Sequence, residues 1–197
     1  MKKCAYIVGL ILVFSTGLGF GQESMTPARF REIVNSPGDT VPLVPQLAPV
    51  PFWTNAVVSN VMTYASGKVF REKMNGTSHS VQGKYIVFTI QSEFYHQTMH
   101  SILTYTAEPS TLKTYSLFDD GHRGEILTEV TTRYDLVRKT YTGTSSYGDG
   151  FMETTTGSFT DKVDFSKTMV YKNGVLFMTR EVTTRPTNNS KPASPGT

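Results

Sequence analysis

Between Phe52 and Arg185 the chain passes through ten short stretches rich in Val, Ile, Thr, Tyr and Phe, each ended by a turn signal. The stretches are 54–65, 68–74, 84–91, 95–106, 113–118, 125–132, 139–145, 151–159, 163–171 and 175–184. None of the links between them is long enough for a crossover helix, which a parallel neighbour would need. Consecutive strands must therefore run antiparallel. Asn75-Gly76 and Asn173-Gly174 read as two-residue hairpin turns. Asp119-Asp120-Gly121 and Gly148-Asp149-Gly150 read as longer ones, and Gly157 reads as a bulge inside its strand. Such a meander has to close or stack to dispose of its edges. A sandwich usually needs Greek-key crossings, and the short links leave no chain for them. The pattern predicts a mainly β fold: a single antiparallel up-and-down barrel of about nine or ten strands over residues 52–185.

The segments on either side are different in kind. Met1-Lys2-Lys3, an uncharged run from Ala5 to Phe14 and Gly19-Phe20-Gly21 have the order of a secretory signal, 1–21, cut near Gly21/Gln22. A membrane span would need about 20 apolar residues, and this run is shorter. The expected location is exported, periplasmic or extracellular, with no stable membrane anchor after cleavage. Residues 22–51 hold one short helix and a strap. Thr26-Pro27 supplies an N-cap followed by proline at the first helical position. Phe30, Ile33 and Val34 then form an apolar stripe, which predicts a helix over 27–35. That stripe is expected to cover an open barrel end as a lid. Pro37, Pro42, Pro45, Pro49 and Pro51 predict an extended strap across the domain surface. Residues 186–197 contain no aliphatic side chain larger than alanine and read as a disordered tail.

Charge and cysteine narrow the function. The net charge is +3, and loss of Lys2 and Lys3 with the signal leaves 17 basic against 16 acidic residues. A nearly neutral chain offers no electrostatic case for nucleic acid or for an anionic membrane. Cys4 is the single cysteine and lies ahead of the hydrophobic run. The remaining chain has no disulfide, thiolate nucleophile or cysteine-ligated metal to offer.

Among residues that carry chemistry, His96 and His100 share one strand face with Phe94, Thr98 and Ile102. Four residues apart, they stand roughly 13 Å from each other at about 3.3 Å per residue, too far to share a metal. As polar points among apolar neighbours, Phe94, His96 and His100 are the candidate ligand-binding set. Glu93, His96 and His100 are the candidates were the cavity catalytic, although Glu93 lies on the opposite face. His79 and His122 fall in turn-like contexts. No nucleophile elbow, EF-hand loop, dinucleotide fingerprint or P-loop occurs. Asp119, Asp120, Asp161 and Asp164 read as turn residues that cap backbone amides. No catalytic residue, metal site or cofactor is predicted. Asn75-Gly76-Thr77 and Asn188-Asn189-Ser190 match the glycosylation sequon.

The order of several motifs resembles a bacterial domain-of-unknown-function family of exported proteins with a lipocalin-like barrel. The resemblance is carried by Tyr105, by Lys113-Thr114-Tyr115-Ser116-Leu117-Phe118-Asp119, by Asn173-Gly174 and by Glu181-Val182-Thr183-Thr184-Arg185. It covers about half the chain. It implies fold and export and carries over no functional residue. The function expected is binding of a small apolar or amphipathic molecule. The alternatives are a barrel-cavity hydrolase or isomerase, and an interaction or scaffold protein of the cell envelope.

Overall fold

A computed structural model describes residues 24–92, 97–119, 125–147 and 150–187. The signal at 1–21, Glu93, Phe94, His96, His122 and tail residues 188–197 lie outside them. One helix, α1 (Pro27–Val34), precedes ten strands: β1 (Asn55–Tyr64), β2 (Val69–Val81), β3 (Tyr85–Ser92), β4 (Gln97–Tyr105) and β5 (Thr111–Asp119), then β6 (Glu125–Asp135), β7 (Thr140–Tyr147), β8 (Phe151–Phe159), β9 (Asp164–Lys172) and β10 (Val175–Pro186). Every strand pairs antiparallel with its neighbours in sequence, and β1 also pairs with β10, Val57 opposite Arg185. The sheet is a closed up-and-down barrel without edges.

Two turn assignments change. Asn75-Gly76 is not a hairpin: β2 runs straight through it, Gly76 lying opposite both Ala56 and Ile90. The missing side chain is used for packing, since Val58 and Ile90 close over the position at 3.6–3.8 Å from where a Cβ would stand. The turn comes instead at Gln82-Gly83, where both residues have positive φ (55° and 63°). Only glycine fits the second place, because a Cβ there would lie 2.3 Å from the Pro42 carbonyl oxygen. Asn173-Gly174 is the expected hairpin, with both φ angles positive (51° and 79°). Gly157 is no bulge either, since the β8 register is unbroken on both sides. Pro186, placed in the tail by composition, is the last residue of β10 and pairs with Ala56.

Helix and strap exchange the roles the sequence suggested. Thr26 caps α1, its Oγ1 accepting from the Arg29 amide at 3.2 Å. The stripe lies flat on the outer wall of the barrel. Phe30 and Ile33 are buried against Val81, Val87, Ile102 and Tyr115, which all point outward from β2 to β5. Arg31 pairs with Glu125 and anchors the same face. The strap closes the barrel end. Leu47, Val50 and Phe52 pack onto Ile86, Leu103 and Leu112 at the rim. The Val44 amide donates to Gly83 O at 2.9 Å on the β2–β3 turn, and Trp53 Nε1 donates to Asp161 O at 3.3 Å on the β8–β9 turn. Those two turns stand on nearly opposite sides of the ring, so the strap crosses the mouth between them.

Candidate functional site

Strand alternation decides what lies inside. On one side of the barrel, Ala56 and Val58 of β1, Phe88 and Ile90 of β3, Leu103 of β4 and Val130 of β6 face inward. Across from them β8, β9 and β10 present Glu153, Thr155, Asp164, Ser166, Thr168 and Arg180. Between the two walls lies a cavity of about 370 Å³, reached at its closed end by Val50 and Pro51 of the strap. The first wall is mostly apolar, with Ser78, Ser101, Thr114 and Thr132 interspersed, and the ionisable groups stand on the other.

Part of the outer surface of that wall is apolar. Met152, Phe165 and Met169 are exposed on β8 and β9 while Glu153, Ser166 and Thr168 point in. In β9 the usual sense of a soluble sheet is largely reversed, Val170 being the buried apolar residue of its inner face.

Two clusters of charge occupy the polar wall. Towards the middle, Arg180 Nη2 lies 3.8 Å from Glu153 Oε2. Burial pushes the Glu153 carboxyl above the ordinary range, and Arg180 opposes that shift. Nearby, Asn60 is buried beside Val182, two residues from Arg180 in β10. Among the described residues, Asn60 Oδ1 and Arg180 Nε have no hydrogen-bond partner. At the strap end, Asp164 opens β9 and Tyr141 OH donates to its Oδ1 at 2.9 Å. The Tyr141 ring lies 5.2 Å from Tyr134 and 6.5 Å from Phe159, and Tyr134 lies 5.9 Å from Phe159. Burial pushes the Asp164 carboxyl up to about 6, against the lowering effect of the Tyr141 hydrogen bond. Burial likewise raises both tyrosine hydroxyls, Tyr134 and Tyr141.

Gly157 builds this corner. It lies directly opposite Tyr141, and a Cβ there would come within 2.2 Å of Tyr141 Cζ. Its bare backbone is the floor on which the tyrosine ring rests. Gly157→Ala is expected to swing that ring away, break the bond to Asp164 and destabilise the fold by about 1–3 kcal/mol, as overpacking does. Since the lost bond lowers the Asp164 pKa, the carboxyl should titrate higher still, which ¹³C-detected carboxyl NMR reads directly.

Of the predicted ligand-binding set, only His100 lies among the described residues. His100 has the parity of Ile102, whose side chain is buried against α1 outside the barrel, while Ser101 and Leu103 line the cavity. His100 therefore points out of the barrel, with Nδ1 3.0 Å from Thr89 Oγ1. Burial alone lowers its pKa. Phe94 and His96, its companions in the predicted ligand set, lie outside the described residues. His79 hydrogen-bonds the Ser36 carbonyl at 3.2 Å and helps hold the strap. Among the described residues no three His, Cys, Asp or Glu side chains converge as metal ligands.

No local sequence signal marks Tyr141, Glu153 or Arg180 as site residues. Asp164 has the sequence context of a turn cap, and Arg180 sits one place before the Glu181–Arg185 motif. Glu181 itself faces out, accepting from Lys167 Nζ at 3.0 Å. No family model and no curated protein matches this chain.

Proposed function

We propose that the protein is an exported carrier or receptor for one small molecule with an apolar body and a polar end. The observation that supports this reading is the two-sided cavity of about 370 Å³. Its size falls in the range of small-molecule sites, about 300–1,000 Å³, and such sites combine apolar walls with a few placed polar groups. Charged groups turned into a barrel interior are costly to a fold that gains nothing from them. Glu153, Arg180 and Asp164 nevertheless all line the cavity. The strap seals one end with Leu47 and Val50, which shields an occupant from solvent on that side.

Native mass spectrometry of the protein purified from the organism that makes it tests this reading. The expected result is a second species, heavier by the mass of one small molecule and converted to the bare chain by organic solvent. A single species at the mass of the bare chain would overturn it.

A further inference from the structure

The two carboxyls of the cavity differ in one respect. Glu153 has a cation beside it in Arg180. Asp164 has none: among the described residues its one hydrogen-bond partner is the Tyr141 hydroxyl, and no basic side chain acts on it. Thr184, its partner on β10, is four residues from Arg180, roughly 13 Å along the strand at about 3.3 Å per residue. What faces Asp164 instead is aromatic. Tyr134 comes from β6, Tyr141 from β7 and Phe159 from β8, while Val50 and Pro51 of the strap close the corner. Tyr134, Tyr141 and Asp164 also line the large cavity, so the cluster is open to an occupant from that side.

A part-buried carboxyl lacking a countercharge, in an aromatic corner of the cavity, is complementary to one kind of group. An ammonium supplies the missing charge and donates to the carboxylate oxygen that Tyr141 leaves free. A carboxylate or phosphate head would meet like charge at this end, and a neutral hydroxyl would leave Asp164 without a countercharge. We propose that the ligand is an amphipathic amine, its protonated nitrogen held by Asp164 beside the Tyr134–Tyr141 pair and its apolar body lying along Val58, Ile90 and Val130. The proposal rests on the cavity-binding reading above and specifies its ligand class.

Three probes with the same eight-carbon chain separate the head groups: n-octylamine, 1-octanol and octanoate, each titrated calorimetrically into the whole protein. Octylamine is expected to bind at least about tenfold more tightly than octanol, as an ion-paired, desolvated head group should. Asp164→Asn should remove that advantage. A second measurement needs no variant. The titratable groups facing Asp164 are Tyr134 and Tyr141, which stay neutral below pH 8, so octylamine affinity in the wild type should fall as pH drops below about 6 and octanol affinity should not. Equal binding of octylamine and octanol, with no dependence on pH or on Asp164, would overturn the amine assignment and leave the cavity-binding reading intact. Binding of octanoate above the other two would overturn it in favour of an anionic head at Arg180. Binding of none of the three would overturn both readings.

Discussion

Replacing Leu47 by alanine is expected to cost the folded protein about 2–5 kcal/mol, the range for deleting a fully buried leucine. Nothing in the local sequence announces that cost, since Leu47 stands in a proline-rich connection between Pro45 and Pro49. Yet it is 0% exposed and packs with Val50 and Phe52 against Ile86, Leu103 and Leu112. The strap folds over itself to place it there, the Leu47 and Ala48 amides both donating to Val44 O at 2.9 and 3.1 Å. Val137→Ala is the matched control. At 94% exposed, it should change stability by less than about 0.5 kcal/mol. Urea denaturation of the two variants beside the wild type measures both. Equal midpoints for Leu47→Ala and Val137→Ala would mean that the strap lies loosely on the barrel and does not seal it.

The second large effect is a pH-dependent penalty that Asp164 imposes on its own fold. Its folded pKa of about 6 stands above the ordinary value of 3.8. Well below pH 4 the carboxyl is protonated in both the folded and the unfolded chain and contributes nothing. Between about 4 and 6 the unfolded chain binds fewer protons than the folded one, so stability falls as pH rises. Above about 6 the loss is complete and constant. Asp164→Asn keeps an acceptor for Tyr141 and removes the ionisation. It is expected to match the wild type at pH 4 and to be more stable by about 1–3 kcal/mol at pH 7.5. The upper figure follows from about 1.4 kcal/mol per pKa unit, and the lower allows for screening by water in the cavity. Thermal melts of both proteins from pH 4 to 7.5 give the comparison. A constant difference across that range would show that Asp164 is not desolvated. At pH 7.5 a bound ammonium should recover much of the penalty for the wild type, because it restores the missing countercharge.

These two residues show where the sequence was legible. Ten strands, their antiparallel order and the closed barrel follow from β-rich runs joined by short links, because a chain of that kind has few other ways to hide its edges. The helix was equally plain, since Thr26-Pro27 and the stripe Phe30, Ile33, Val34 are local signals. What the stripe packs against is not a local property. An amphipathic helix must bury its apolar face, but periodicity does not distinguish a barrel end from the outer wall formed by Val87 and Ile102. The strap departs from its sequence expectation for the opposite reason. Its prolines advertise extended chain and draw attention from Leu43, Val44, Leu47, Val50 and Phe52, which carry its packing.

The site was hardest to read because this barrel is polar on part of its inside. In β9 the inward residues include Asp164, Ser166 and Thr168, with Val170 the apolar one among them, and the outward ones include Phe165 and Met169. A rule that turns apolar side chains inward assigns the wrong face to that strand. In β4, Ile102 and Leu103 are both buried, one under α1 and one in the barrel, so alternation could not settle which side His100 takes. Asn75-Gly76 was misleading because glycine serves two purposes. At Gly174 it supplies a positive φ for a turn, and at Gly76 it leaves room for neighbouring side chains in mid-strand.

The central claim is that the space between the two walls is a binding site, and filling it is the most direct test. Val130 lines the cavity on its apolar side and makes no hydrogen bond through its side chain, so Val130→Phe adds a ring to the empty volume without stranding a polar group. Calorimetric titration of 1-octanol into the wild type and into this variant, each first shown by circular dichroism to be folded, gives the answer. The account predicts one-to-one binding by the wild type and a loss of at least about tenfold in the variant, since a ring placed in the site competes for the same space. Equal affinity in the two proteins would place octanol elsewhere on the molecule and contradict the account.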